Sequence, residues 1–447
     1  MRLKTFKGGI HPNDSKGFTN KLPVVPHIPT ETIVIPMRQH IGAPCEPIVQ
    51  VGDDVLMGQC VGRSDAFVSA PVHSSVSGTV IDIKDYPHPG GGEAKCVVIQ
   101  NDFKDTLMPS ITPWNLDTKP ESIKKFVEQT EANVIVEKVK EAGIVGMGGA
   151  AFPLHVKLMP PKDNPIDTVI LNGAECEPYL TSDHRAMLEN PLQIVIGALL
   201  IKKAVNAKKI VIAIENNKPD AIKMLKNVSK DYAEVEIGVL KTKYPQGSEK
   251  QIINAVTGRQ VPSGGLPSAV GVLVSNVDTA SSVARAVVMN MPLIERNITV
   301  SGDAVARPTT FLVRMGVTFE SLFEAANGFK VEPKKIIMGG PMMGIPQDSL
   351  QAPVIKGVSG VLAFAEPETF GKEEGICIKC GKCVDVCPMR LMPNALSMFS
   401  VTENVEKLKE YHVMDCMECG SCSFICPQRR FMVQHIKTAK ALVKKNS

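Results

Sequence analysis

Two stretches of the chain repeat one cysteine spacing. CIKCGKCVDVCP begins at Cys377 and CMECGSCSFICP at Cys416, each reading C-x2-C-x2-C-x3-C-P. Thiolates this close converge from a tight loop on a four-iron cubane, and the spacing is that of iron–sulfur ligation. A structural zinc site favours two separated C-x2-C pairs, which the third cysteine and the C-P step do not suit. The candidate metal ligands are therefore Cys377, Cys380, Cys383, Cys387, Cys416, Cys419, Cys422 and Cys426, and two [4Fe–4S] clusters are expected. Gly381, Gly420 and Ser421 lie inside the loops, where small residues let backbone N–H groups turn toward sulfur.

In two-cluster ferredoxins the fourth cysteine of each run ligates the other cluster. The expected sets are Cys377, Cys380, Cys383 and Cys426 on one cluster, and Cys416, Cys419, Cys422 and Cys387 on the other. The intervening LMPNALSMFSVTENVEKLKEYHV reads as helical and sets the two loops side by side. One-electron carriers make no bonds, so a further redox centre must supply or accept their electrons.

The next candidate is EAGIVGMGGAAFPLHVKL, residues 141–158, where Gly146, Gly148 and Ala151 fit G-x-G-x-x-G/A. A dinucleotide loop of that form follows a strand. Here ESIKKFVEQTEANVIVEKVKEAG precedes it and reads as one helix ending in a Gly cap. No standard dinucleotide site is assigned, but the loop offers bare backbone N–H groups and Lys157 as a phosphate partner. Asp167–Leu171 then reads as a buried strand ending in a polar group of Asn172, Glu175, Glu177 and Asp183. In α/β sheets ligands sit at that end. KIVIAIENNKPDAIKML reads as strand, loop and helix, and VEIGVLK as a strand. Gly247 and Glu249 precede a helix, and VGVLVSNVDT is a strand ending at Asn276 and Asp278. The alternation is that of an α/β domain. Taken singly, each feature has a plain structural reading, as a turn or a solvated acid.

The length, 447 residues, allows about three domains. Net charge is +4, with no basic stripe or arm, and five Tyr and one Trp make no stacking platform, so nucleic acid is excluded as a partner. Abundant Gly and Pro point to many turns. The first residues carry charge without an apolar run after it, so no signal peptide is expected. No apolar run approaches the ~18 residues of a membrane span. The longest, IVIGALLI and VGVLVSNV, have core-element lengths. In a reducing cytoplasm the other four cysteines, Cys45, Cys60, Cys96 and Cys176, are expected to be small buried apolar groups.

GMGGAAFPLHVK (146–157) and NGAECEP (172–178) resemble segments of the flavin-bearing, NADH-oxidising subunit of respiratory complex I. That family reads G-R-G-G-A-G-F-P…K and N-A-D-E-G-E-P. The resemblance implies an FMN site with NADH stacked over the flavin. It assigns Gly148, Gly149, Lys157 and Asn172 to FMN, with Asn276 joining from the later strand, and Glu177 and Glu249 to the nicotinamide and ribose. Gly146, Glu175 and Gly247 complete the candidate cofactor-binding set. Met147, Ala174, Cys176 and Ser248 stand where that family has Arg, Asp, Gly and Glu, which removes charged contacts to the flavin. The complex I protein also has one C-terminal cluster, not two.

A second resemblance spans the entire chain. FKGGIHPNDSK (6–16) and IPMRQHIGAPCEPIVQVGDDV (35–55) look like the RnfC (RsxC) family, the NADH-side subunit of the ion-translocating Rnf complex. It implies a multidomain α/β and β fold. Residues 1–112 form an N-terminal barrel-sandwich hybrid of biotinyl/lipoyl-like type. Residues 113–292 form a Rossmann-type α/β domain, similar to the flavin domain of complex I, that binds FMN and NADH. Residues 293–352 form a β-grasp SLBB domain, 366–430 a two-cluster ferredoxin-like helical module, and 431–447 a basic C-terminal helix.

The residues support these parts separately. VGDDVLMGQCVG and APVHSSVSGTV are short alternating strands with Gly-centred turns. His73, Ser74 and Ser75 stand where a carrier lysine would lie, so the barrel is read as a packing or docking domain rather than a swinging arm. Val300-Ser301-Gly302 and Met338-Gly339-Gly340 are read as turns of a wedge beside the flavin domain. FMVQHIKTAKALVKKNS is read as a solvated closing helix.

The family implies NADH oxidation, or NAD+ reduction, at FMN and relay through both clusters, in NAD:ferredoxin exchange coupled to Na+ or H+ movement. The expected partners are the membrane and cluster-bearing subunits of that complex, with ferredoxin reached indirectly. The expected place is the cytoplasmic face of the membrane, as a peripheral protein. Hydride transfer needs stacking and orientation rather than proton removal, so no catalytic acid or base is assigned. Two other readings compete. A cobalamin reductase of the propanediol-utilisation type shares flavin and clusters but serves a corrinoid. A flavin-free adaptor would use the clusters only as a wire, which Met147, Ala174 and Ser248 permit. Spacing alone does not say which cluster faces the flavin.

Overall fold

The structure is a computed structural model that describes residues 3–366 and 373–446. Residues 1–2 of the expected barrel, 367–372 of the expected iron–sulfur module and Ser447 of the expected closing helix lie outside the described residues.

Four strands form a parallel sheet at the centre of the α/β part. Lys209–Glu215 lies between Val235–Leu240 and Thr168–Gly173, and Val272–Asn276 flanks Thr168–Gly173 on its other side. Successive residues serve opposite faces, as strand geometry requires. Val169 and Leu171 pack with the helices Pro191–Ala204 and Val277–Met289, while Ile170 packs with Ile252 and Ile253 of Glu249–Thr257. Both faces are covered, which is why the strands read as continuous apolar runs.

The single helix expected before the glycine loop is two helices, Pro120–Gln129 and Ala132–Glu141, with Thr130 and Glu131 extended between them. The Thr130 hydroxyl turns back to the Phe126 carbonyl at 2.7 Å. The break lets Ile123 of the first helix and Ile135 and Val139 of the second reach one core.

The barrel is two small sheets. Thr32–Pro36, Glu93–Asn101, Gly78–Pro87 and Asp54–Val55 form one, and Glu46–Pro47, Cys60–Arg63 and Val72–His73 the other. The β-grasp part is a six-stranded sheet with the helix Phe319–Ala325. Ile33, Val72 and Val97 of the barrel share one apolar cluster with Val300, Phe311 and Phe319. The β-grasp sheet also uses strands outside residues 293–352. Val25–Pro26 adds an edge, and Gly360–Phe364 fills the gap between Glu295–Ser301 and Lys335–Met338. Val300 and Ser301, expected in a turn, end the strand Glu295–Ser301. The turn starts at Gly302, whose φ of 117° suits it.

The iron–sulfur module is helical. Pro393–Val401, Val405–Glu410 and Met432–Lys445 meet around Leu396, Leu408, Val413 and Ile436. The closing helix buries Met432, Ile436, Ala439 and Val443 along one stripe and leaves its lysines on the rest.

Helix Pro191–Ala204 crosses Val277–Met289 at Gly197, where an added Cβ would stand within van der Waals overlap of the Ala280 carbonyl. Gly197→Ala is expected to lower the unfolding free energy by about 1–3 kcal/mol through overpacking, measured by urea denaturation.

Candidate functional site

Strands Thr168–Gly173 and Val272–Asn276 end side by side, with Asn172 opposite Asn276. The Asn276 side-chain Oδ1 accepts from the amides of Asp278 at 2.8 Å and Thr279 at 3.2 Å, capping Val277–Met289. Its Nδ2 donates to Asp183 Oδ2 at 2.7 Å. The glycine loop closes over this point. Gly146 N–H donates to the Phe152 carbonyl at 2.9 Å, and Val145 bridges Pro153. A Cβ on Gly148 would lie 2.7 Å from the Asn276 amide nitrogen, whereas one on Gly149 would meet nothing within 4 Å. One glycine thus permits close packing and the other leaves backbone open to a ligand. The loop runs between helix Ala132–Glu141 and the short helix Leu154–Lys157, not from a strand.

The remaining expected residues divide. Asn172 Nδ2 donates to the Gly247 carbonyl at 2.7 Å, and Gly247 N–H donates to Cys176 Sγ at 3.3 Å. Lys157 Nζ binds Glu249 Oε1 at 2.7 Å and the Val274 carbonyl at 3.3 Å. Gly146, Gly148, Gly149, Lys157, Asn172, Gly247, Glu249 and Asn276 are therefore brought to one end of the sheet. Glu175 and Glu177 are engaged by backbone amides of neighbouring segments. Glu175 accepts from the Asp183 amide at 2.7 Å and the His184 amide at 3.3 Å, at the start of helix Ser182–Glu189. Glu177 accepts from the amides of Met342 and Met343, each at 3.0 Å, in the β-grasp loop. Burial raises its carboxyl to about 7 despite those two donors.

Several buried charges support the site and carry no motif. Lys16 Nζ donates to the Glu177 carbonyl at 2.9 Å and lies 3.9 Å from Glu175. Lys218 Nζ donates to the Ala174 carbonyl at 2.6 Å. Arg296, from a β-grasp strand, donates to the carbonyls of Met147 at 3.0 Å and Lys356 at 2.6 Å. Burial pushes the Asp183 and Asp278 carboxyls up, and Arg296 opposes the shift at both. Asp183 and Asp278 were legible from the strand ends and Lys16 from its place in FKGGIHPNDSK, whereas Lys218 and Arg296 had no sequence signal.

The cysteine runs are not equivalent. Cys387 leaves its own run and joins Cys416, Cys419 and Cys422 around a cavity holding about 370 Å³ of empty space, its mouth included. The Leu391 amide points to Cys387 Sγ at 3.3 Å and the Glu418 amide to Cys416 Sγ at 3.4 Å. Gly381 and Gly420, both at φ 79°, start the one-turn helices that carry Cys383 and Cys422. Cys383 and Cys426 share an apolar cluster with Met432, while Cys377 and Cys380 are exposed. Among the described residues no three His, Cys, Asp or Glu side chains converge tightly enough for a single metal ion. Of the scattered cysteines, Cys45 and Cys96 are buried, and Cys60 and Cys176 are half-buried.

The second run abuts the sheet end. Cys419 shares an apolar cluster with Cys176, Tyr244, Ile10, Met342 and Met417. Ser248 Oγ donates to Met417 Sδ at 3.5 Å, and Gln251 Nε2 donates to the Pro388 carbonyl at 3.0 Å. Beside them lies an open groove, about 710 Å³ with the open solvent at its mouth included, lined by Ser248, Glu249, Gly264, Gly265, Cys416 and Met417.

Four family descriptions match in order: "RnfC Barrel sandwich hybrid domain" over residues 4–104, "Nuo51 FMN-binding domain" over 139–285, "SLBB domain" over 297–346 and "4Fe-4S dicluster domain" over 376–429. The chain is 48% identical over 441 residues to one component of the proton-translocating ferredoxin:NAD+ oxidoreductase complex of Clostridium ljungdahlii, covering 98% of this chain and 94% of that one. It is 47% identical over 436 residues to the counterpart in the Na+-translocating complex of Acetobacterium woodii, covering 98% and 96%. It is 39% identical over 451 residues to the counterpart in the ion-translocating oxidoreductase complex of Haemophilus influenzae PittEE, covering 99% of this chain and 66% of the relative. The chain belongs to the RnfC family of ion-translocating ferredoxin:NAD+ oxidoreductases. Among the described residues no helix is long and apolar enough to cross a membrane.

The residues present fit FMN and one of the two clusters that this family implies. An isoalloxazine and phosphate need open backbone amides and a cation, and Gly149 and Lys157 supply them. Two buried polar groups beside the site residues, Ser275 Oγ and the Gln246 amide, have no protein partner. A cubane needs four converging thiolates with N–H donors, which the Cys387 cavity provides.

Glu177 binds its proton more tightly folded than unfolded. The stability this adds is fully present below the ordinary value of 4.5 and is lost as pH rises through about 7. Glu177→Gln cannot ionise. The stability of the parent relative to that variant is expected to fall across this window and stay level outside it, measured by urea denaturation at a series of pH values.

Proposed function

We propose that the chain exchanges electrons between NADH and ferredoxin as the peripheral RnfC component of a membrane-bound complex, on its cytoplasmic face, with Na+ or H+ transport elsewhere in the complex. NADH is oxidised, or NAD+ reduced, at FMN, and two [4Fe–4S] clusters relay the electrons. One observation carries this reading: Cys419, which lines the Cys387 cavity, packs with Cys176, and Cys176 accepts from Gly247 at the sheet end where Gly148, Asn172 and Asn276 also lie.

FMN, when bound, converts the two-electron chemistry of a hydride into single-electron steps. The chain positions it. Gly148 and Gly149 present backbone amides, Gly146 ties the loop to Phe152, Lys157 supplies a cation held in place by Glu249, and Asn172 and Asn276 fix the strand ends. Glu249 borders the groove and is placed to meet ribose hydroxyls. Glu175 and Glu177 act from behind, holding the loop through a helix N-terminus and the β-grasp loop. Cys416, Cys419, Cys422 and Cys387 hold the cluster nearer the flavin. Cys377, Cys380, Cys383 and Cys426 hold the outer one, whose exposed cysteines face the exit. No side chain here need move a proton from substrate.

Anaerobic NADH titration of protein reconstituted with iron, sulfide and FMN tests the reading. Flavin bleaching followed by cluster EPR signals is expected, and a chain that binds no FMN, or whose flavin ignores NADH, refutes it. Crossed ligation gives a second test. Cys387→Ala is expected to lose the cluster nearer the flavin while Cys426→Ala loses the outer one, each leaving about half the iron, read by iron assay and EPR. In Cys387→Ala the flavin still bleaches with NADH but the remaining cluster is reduced slowly.

A further inference from the structure

The N-terminal segment precedes the barrel strands in the chain but bonds to the parallel sheet and the iron–sulfur module. Lys4 adds to the free edge of the parallel sheet: its amide donates to the Val239 carbonyl at 3.1 Å, and its carbonyl accepts from Lys241 at 2.9 Å. Ile10 then exchanges backbone bonds with Tyr244, at 2.8 Å and 2.9 Å. Between them Gly9 N–H donates to the Val386 carbonyl at 2.8 Å, one residue before the crossed ligand Cys387. A Cβ on Gly8 would stand 2.9 Å from the Cys387 carbonyl, and one on Gly9 would stand 2.6 Å from the Tyr244 carbonyl. Both residues have φ above 80°. Only glycine meets both demands, a left-handed backbone and contact on both sides.

Lys243 secures the crossing. Its Nζ donates to the carbonyls of Phe6 and Gly8, each at 2.7 Å, and sits 3.9 Å from the Phe6 ring centre. Beyond the crossing, the Asp14 carbonyl accepts from the Tyr179 amide at 2.8 Å, and Lys16 reaches the carbonyls of Glu177 and Leu180. Ile10 is buried among Tyr244, Cys176 and Cys419. One short stretch therefore touches the sheet edge, the ligand loop and the segment after Asn172.

We propose that residues 4–16 are a positioning strap that fixes the inner cluster against the flavin domain, so that Gly9 and Lys243 set the rate of flavin-to-cluster transfer without touching either cofactor. This rests on the path proposed above. A displaced reacting group loses rate steeply with distance, and neither Gly9 nor Lys243 bonds to a residue of the candidate cofactor-binding set.

The test uses the reconstituted full chain in anaerobic stopped flow with NADH, comparing the parent with Gly9→Val, Lys243→Met and Lys243→Arg. Iron, flavin and the rate of flavin bleaching are expected to match the parent in every variant. Cluster reduction is expected to slow on the order of tenfold or more in Gly9→Val and Lys243→Met, with Lys243→Arg recovering most of it. Full cofactor content with parental cluster reduction in Lys243→Met overturns the proposal, and that variant decides if Gly9→Val fails to fold. Hydrogen exchange reads the strap independently of electron flow. Slow exchange at Gly9 and Ile10 in the parent, quickened by Lys243→Met, is expected, and fast exchange in the parent overturns the strap. A parent whose clusters ignore the flavin while Gly9 stays protected refutes the electron path instead.

Discussion

Charge buried at the carboxyl end of the parallel sheet is the constraint on which the rest of the assembly depends. An unpaired ion in a dry site costs several kcal/mol, so each must find its partner in place. Here the partners come from different parts of the chain. Lys16 arrives from the N-terminal segment, Lys218 and Glu215 from the sheet domain, and Arg296 from the β-grasp sheet. Glu177 is held by the β-grasp loop through Met342 and Met343. The Lys218–Glu215 pair forms within the sheet domain, but the contacts of Lys16, Arg296 and Glu177 form only when several modules have docked, so compensating those charges and assembling the site are one event.

The same arrangement explains where the clusters fall. The β-grasp loop that holds Glu177 also presses on the second cysteine run, since a Cβ on Gly420 would lie 3.0 Å from the Met342 carbonyl. Gln251 holds the other side of the module through Pro388. The inner cavity is gripped from the sheet, the β-grasp loop and the N-terminus, while Cys377 and Cys380 remain exposed.

Much of this was legible in the sequence because the chemistry needs fixed spacings. The cysteine runs announce their ligands, and the asparagines at the strand ends stand where an α/β sheet binds its ligand. What escaped was whatever depends on contacts far apart in sequence. Glu177 lies in the motif that places it near nicotinamide, yet its carboxylate meets amides 165 and 166 residues away. The split at Thr130 and Glu131 follows from where the core lies, not from helix propensity. Gly360–Phe364 has no local mark as a central strand and becomes one through its two neighbours. Lys218 and Arg296 look like ordinary surface cations until burial is known.

The contact between Gly9 and Val386 has a bearing on biosynthesis. Residue 386 is made 377 residues after residue 9. At about 5–20 residues per second, tens of seconds separate them. The edge of the sheet at Val239 is ready much earlier, so Lys4 can dock there and hold the segment against it. Gly9 then waits with its N–H unpaired for the ligand loop. Long-range closure of this kind folds late, so maturation of the inner iron–sulfur centre comes after the flavin domain is already shaped to receive it.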